Sequence, residues 1–191
     1  MYDFISPTRL AGSLRGKVAL ITGASRGIGK AMALAFAEAG ADVALLARTQ
    51  LQLELVADMI RNRFERRVLI FVADTTDEKA VRDAVRATEW ELGQLDIVVA
   101  NAGVAVQRPF IFTPMDEWWR AMEVNVKGQL FVAQEALKSM RARGKGVIIF
   151  NASSAGVTDF GEWDLNNRCE TSSNSFTNIR IAGMTSYAAS K

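Results

Sequence analysis

The sequence predicts an α/β fold, a doubly wound parallel sheet with helices on both faces. Three observations carry that expectation. From Lys17 onward, short apolar runs alternate with longer stretches of helical period. The links between them are short, which is the pattern of strand–helix–strand units rather than hairpins. A glycine-rich turn, Thr22-Gly23-Ala24-Ser25-Arg26-Gly27-Ile28-Gly29, joins the first run to the first helical stretch.

The elements follow in order. Val18 to Ile21 is a continuous apolar run, as expected of a strand buried on both faces. Ile28 to Ala39 reads as a mostly apolar helix closed by Gly40. Val43 to Leu46 is a second strand, and Gln50 to Arg63 a helix with Leu51, Leu55 and Met59 spaced by four. Val68 to Val72 is a third strand. Asp77 to Leu92 is a helix with Val81, Ala84, Val85, Thr88 and Leu92 on one face, ended by Gly93. Ile97 to Ala100 is a fourth strand. Thr113-Pro114-Met115-Asp116 reads as a capping box with proline at the first helical position, opening a long helix to about Arg143. Val147 to Phe150 is a fifth strand. From Glu162 to Ile181 the chain is rich in Asn, Ser, Thr and Arg and keeps no period of either kind.

Composition narrows the function. A chain of 191 residues, 49% apolar and 23% charged, suits one globular domain with a real core. The expected organisation is a single domain over 1–191, with an N-terminal extension at 1–15 and an atypical polar insertion at 162–181. A net charge of +2, with the basic residues scattered, argues against a nucleic-acid partner. With no histidine and only Cys169, neither a zinc site, a histidine triad nor an internal disulfide is available. No apolar run has membrane-spanning length, and Met1 to Arg15 is not a secretory signal. A soluble cytoplasmic protein is the expectation.

The glycine turn has the physics of a dinucleotide site. Gly23 permits the tight turn, Gly27 lets backbone approach a pyrophosphate, and Gly29 lets helix and strand pack closely. The helix that follows offers unpaired N–H groups and a positive dipole end to phosphates. Other marks follow in order: Asp74 after the third strand, Asn101-Ala102-Gly103 after the fourth, Asn125 in the long helix, Ser153-Ser154 after the fifth, and Tyr187-x-x-x-Lys191. With the spacing Gly-x-x-x-Gly-x-Gly, this set resembles the short-chain dehydrogenase/reductase family from about Leu14 to Lys191, apart from 162–181. The resemblance implies a Rossmann fold, an NAD(P)-dependent oxidoreductase and a full-length homodimer or homotetramer. Its small-molecule substrate would be a carbonyl compound or alcohol.

By that resemblance the cofactor contacts are Gly23, Ser25, Arg26, Gly27, Ile28, Gly29, Arg48, Asp74, Thr75, Asn101, Ala102, Gly103, Tyr187 and Lys191. A carboxylate at the end of the second strand favours NAD by bonding the adenosine ribose and repelling a 2′-phosphate. Here Ala47 holds that position and Arg48 follows it, with Arg26 nearby in the turn, so NADP(H) is expected over NAD(H). Asp74 and Thr75 would meet the adenine. The catalytic set would be Asn125, Ser153, Tyr187 and Lys191, with Ser154 as the alternate serine. In a helix Tyr187 and Lys191 share one face. A neighbouring ammonium draws a phenol's pKa downward, so the phenol can exchange a proton with a carbonyl oxygen as hydride arrives. Ser153 would donate to that oxygen, and Asn125 would hold a water between the lysine and solvent.

Two departures stand out. Ser153 and Tyr187 lie 34 positions apart, well beyond the family's usual spacing, and the surplus matches 162–181. That segment is either a genuine surface insertion, which loops tolerate, or not native coding sequence, for example a retained intron translated in frame. The chain also ends at Lys191, where the family continues with the rest of that helix and two more strands. The full-length form is therefore expected to be an enzyme, and the chain as it stands weak or inactive. A cofactor-binding fragment or pseudoenzyme without turnover is the competing reading. Trp118 and Trp119 are expected to be buried in the core or at a subunit interface.

Overall fold

A computed structural model describes residues 11–106 and 110–152, with the backbone of 162–163 and 169–170. The chain divides into two compact units, Met1–Ala102 with Gly128–Asn151, and Gly103–Lys127 with Ala152–Lys191.

The first unit holds five parallel strands: β1 Val18–Thr22, β2 Asp42–Ala47, β3 Val68–Val72, β4 Leu95–Ala100 and β5 Val147–Phe150. Their order is β3-β2-β1-β4-β5. Between them run α1 Gly27–Glu38, α2 Gln50–Phe64 and α3 Glu78–Glu91. This is the doubly wound Rossmann arrangement expected from the alternation of apolar runs and helical stretches. The side chains of β1 show why the run reads as continuous. Ala19 and Ile21 enter the core beneath α1 and α2, with Val43, Leu45, Leu53, Val56 and Ile60. Val18 and Leu20 enter the opposite core with Val81, Val85, Leu95, Val98, Val132 and Ala136. Alternate residues of one strand thus serve two cores, and no polar face remains.

Local chemistry sets the ends. Asp77 caps α3 by accepting from the Ala80 N–H at 3.0 Å. Glu65 ends α2 in the left-handed region at φ 53. Leu14 packs against the first core and its N–H donates to the Ala39 carbonyl, so the end of the expected N-terminal extension is fastened to the C-terminal end of α1. Asp42, buried at the start of β2, accepts from Arg66 at 2.6 Å and Arg67 at 2.8 Å, and Arg67 also donates to the Leu92 carbonyl. Burial works to raise the Asp42 carboxyl, but the hydrogen bonds from Arg67 and Arg66 together outweigh it and hold it below the usual carboxylate value.

The long helix departs from expectation. It begins at Met115 with Pro114 in the N-cap position, one residue later than the start expected at Pro114. It is also three successive elements rather than one: α4 Met115–Met122, a wider π-helical turn Glu123–Gly128, and α5 Gln129–Arg143. The extra residue of a π turn leaves no trace in apolar spacing, and such turns gather at functional sites. In the second unit a short 3₁₀ turn, Phe110–Phe112, precedes α4. There β6 Glu162–Trp163 pairs antiparallel with β7 Cys169–Glu170, within the stretch expected to lack periodicity. Strands of two residues are too short to alternate visibly. Trp118 is partly buried and Trp119 is 59% exposed in the single chain, so of the two expected places, core or subunit interface, the core does not hold Trp119.

Candidate functional site

In an open α/β sheet the ligand crevice lies beyond the strand C-termini where the strand order reverses. Here that point falls between β1 and β4, since the chain winds outward to β3 and then returns to the other side of β1. The glycine turn leaves β1 at this place and the Asn101-Ala102 segment leaves β4.

The turn is built by exclusion. A methyl group added at Gly29 would sit 2.3 Å from the Gly23 carbonyl oxygen and 2.6 Å from the Asn101 side-chain nitrogen. Helix α1 can approach β1 this closely only without a side chain there. Gly27 is the opposite case. It is exposed, takes φ +55, and nothing lies within 4 Å of where its Cβ would be. Space is thus left open at the N-terminus of α1, whose N-cap, Arg26, makes no side-chain cap hydrogen bond. Ser25 is partly exposed, and Arg26 and Ile28 are exposed. An open cradle at a helix N-terminus fits a pyrophosphate.

Thr22, fully buried, organises the segment after β4. Its hydroxyl donates to the Val99 carbonyl at 3.3 Å and accepts from the N–H groups of Asn101 at 2.9 Å and Ala102 at 3.0 Å. One donor and two acceptor sites are the full capacity of a hydroxyl. The Asn101 side chain donates to the Thr22 carbonyl at 2.9 Å and accepts from the Asn151 amide at 2.8 Å. Gln129 donates to the Ala102 carbonyl at 3.3 Å. Gly128 brings the start of α5 against Thr75, where an added methyl would meet Thr75 Oγ1 at 2.7 Å. Thr22, Gln129, Gly128 and Asn151 were not singled out from sequence. For Thr22 and Asn151 the available signal is position, polar residues closing the apolar runs of β1 and β5, whereas Gly128 and Gln129 lie inside a helical stretch that carries no such signal.

Ala47 ends β2 and is buried, while Arg48 projects from the next position with 62% of its side chain exposed. Arg48 lies 3.8 Å from Asp74 Oδ2, and Asp74 Oδ1 accepts from the Thr76 N–H at 2.9 Å and hydroxyl at 2.8 Å. Arg48 and Asp74, expected to serve opposite ends of an adenosine 2′-phosphate, are thus neighbours before any ligand arrives. Thr75 is buried beside them.

In the second unit, Asn125 is 2% exposed and occupies the π turn. Its Oδ1 accepts from the Val104 N–H at 2.8 Å and its Nδ2 donates to the Val104 carbonyl at 2.9 Å. The side chain therefore fixes the strand of chain that follows Gly103, which is itself exposed. Ser153, Ser154, Tyr187 and Lys191 lie outside the described residues, as does most of 162–181. Among the described residues no group of carboxylates and cysteine could hold a metal ion, and no helix is long and apolar enough to cross a membrane.

A doubly wound parallel sheet with an open glycine turn at its switch point is the class of fold that seats dinucleotides. More narrowly, the family model for short chain dehydrogenases matches residues 17–164, and the chain belongs to that family. It is 38% identical over 150 residues to a short chain dehydrogenase of Pseudocercospora fijiensis, covering 78% of this chain and 48% of that one. It is 36% identical over 146 residues to a probable NADP-dependent mannitol dehydrogenase of Yarrowia lipolytica, covering 75% and 52%. The chain therefore spans about half the length of these curated relatives. Among solved structures, a short-chain type dehydrogenase/reductase from Mycobacterium marinum superposes with TM-score 0.78 at 35% identity, covering 98% of this chain and 68% of the other. NAD+-bound xylitol dehydrogenase gives 0.78 at 30% identity, covering 93% and 60%. L-sorbose reductase from Gluconobacter frateurii, complexed with NADPH and L-sorbose, gives 0.71 at 36% identity, covering 75% and 55%.

Proposed function

We propose that this chain carries the cofactor site of an NADP(H)-dependent reductase that interconverts a carbonyl and a secondary alcohol. The observation that carries the reading is the open cradle at Gly27, between a fully buried strand and the N-terminus of α1. The residues that would hold the dinucleotide are Gly23, Ser25, Arg26, Gly27, Ile28 and Gly29 at the phosphates. Arg48, Asp74 and Thr75 would meet the adenosine, with Asn101, Ala102 and Gly103 along the turn after β4. The bound nicotinamide supplies or accepts the hydride.

Preference for the phosphorylated cofactor rests on charge. Ala47 puts no carboxylate at the end of β2 itself, the exposed Arg48 guanidinium adjoins it, and Asp74 lies 3.8 Å from that guanidinium. Its contact with Asp74 is long and solvent-facing, so a phosphate can compete for it at a cost of about 1 kcal/mol or less. Related proteins named for NADP and for NAD both occur, and it is these side chains that favour the phosphorylated cofactor.

Tyr187 would exchange the proton, Lys191 would favour its phenolate, and the same lysine would hold the cofactor ribose. Ser153 steadies the substrate oxygen as charge develops on it, and Asn125 holds the water that links Lys191 to solvent. Polyols and sugars are a sensible first substrate panel, since mannitol, xylitol and sorbose appear among the related proteins' names. The test is oxidation of NADPH with a ketose and small-ketone panel, followed in the wild type and in Tyr187→Phe. Turnover lost in the variant while NADPH still binds supports the assignment. Turnover retained in the variant refutes Tyr187 as acid and base.

A further inference from the structure

We propose that Asn151 is a positioning residue for the cofactor cradle, acting through Asn101 rather than by touching the dinucleotide. This rests on the reading of the cradle given above.

Asn101 has a donor end and an acceptor end, and a half-turn would exchange them. Its Nδ2 donates to the Thr22 carbonyl at 2.9 Å. Turned over, the amide would set its oxygen against that carbonyl, two acceptors face to face. The acceptor end, Oδ1, takes the Asn151 amide at 2.8 Å. The Thr22 carbonyl, which can only accept, sets the orientation, and the Asn151 amide holds the other end of the Asn101 side chain in place.

The orientation matters because of what lies over it. The Asn101 Nδ2 atom stands 2.9 Å from where a Cβ of Gly23 would be and 2.6 Å from where one of Gly29 would be. It is the floor on which the first and last glycines of the turn rest. A shift of a few tenths of an ångström in this amide is transmitted to backbone that must present N–H groups to a phosphate.

Asn151 has a second attachment that fixes its own place. Its backbone N–H donates to the Ala100 carbonyl at 3.0 Å, extending the β4–β5 ladder by one bond. Within the described sheet β5 pairs only with β4, and Val147, Ile149 and Phe150 are 53%, 38% and 49% exposed. The backbone and side-chain bonds of Asn151 together tie the end of this strand to the cradle. The same residue immediately precedes the segment bearing Ser153 and Ser154.

The test measures NADPH affinity by nicotinamide fluorescence on folded protein, with circular dichroism and melting temperature in parallel. Asn151→Ala removes the donor; Asn151→Asp keeps the shape but replaces the donor with acceptors. Loss of one such bond with its partner left unsatisfied is expected to raise the Kd for NADPH about tenfold in both variants. A purely structural role would lower the melting temperature and leave the Kd of the folded fraction alone. Wild-type affinity in both variants, or in Asn151→Asp if Asn151→Ala does not fold, overturns the proposal and leaves the cradle reading standing. If the unsubstituted chain binds neither NADPH nor NADH, the cradle reading falls and this proposal falls with it.

Discussion

Gly27 and Gly144 offer a matched pair for separating fold from function. Both are left-handed, at φ +55 and φ +62, and nothing lies within 4 Å of the Cβ that either would gain. Gly27 opens α1 in the cradle, whereas Gly144 ends α5 as its C-cap. Replacing either with alanine forces a side chain into the left-handed region at about 1 kcal/mol. In a domain of this size that shifts the melting temperature by roughly 2–4 °C. Stability should therefore fall equally in Gly27→Ala and Gly144→Ala. Affinity should not. The space beside Gly27 is where a phosphate would approach, so a methyl there is expected to weaken NADPH binding at least tenfold, about 1.4 kcal/mol or more. Gly144→Ala should bind within about twofold of wild type, a difference of about 0.4 kcal/mol. Thermal melts and fluorescence titrations on the same preparations decide it. Equal affinities in the two variants would refute the assignment of phosphate to this turn.

Three further outcomes follow from named contacts. Arg48→Ala should weaken NADPH binding by about 1–2 kcal/mol while leaving NADH nearly unchanged, and the loss should shrink with added salt, as titrations of both cofactors would show. Asp42→Asn should destabilise the fold by about 2 kcal/mol, less than the cost of breaking a fully buried pair because Arg67 reaches solvent. The Asp42 carboxyl is held below its ordinary value in the fold, so its contribution is present above the unfolded pKa and disappears as pH falls through the folded one. Urea midpoints should therefore drop below about pH 4 in wild type, and less steeply in Asp42→Asn. Gly29→Ala, whose methyl would press on the Gly23 carbonyl, should cost about 2–3 kcal/mol by overpacking, read as a lower urea midpoint.

What could be read without the structure was whatever repeats along the chain. The strand at Val18 and the helix at Val81 declare themselves because burial on two faces, or on one helical face, leaves a period. The glycine turn was legible because Gly23, Gly27 and Gly29 sit between two such elements. The π turn at Asn125 was not, since one extra residue inside a helix alters hydrogen bonding without altering composition. Nor was the exact helix start, which falls at Met115 with Pro114 in the N-cap position. The bonds among Thr22, Asn101 and Asn151 join residues about 50 to 80 positions apart and depend on the strand register between β1, β4 and β5, which no local pattern encodes. Ion pairing between Arg48 and Asp74 escaped for the same reason, although each was singled out alone.

The most direct measurement is the structure of this chain crystallised with NADPH. The account predicts a diphosphate within hydrogen-bonding distance of the backbone N–H groups that open α1, beside Gly27, with the adenosine end toward Arg48. A dinucleotide seated elsewhere, or saturating cofactor that leaves this turn untouched, would contradict it.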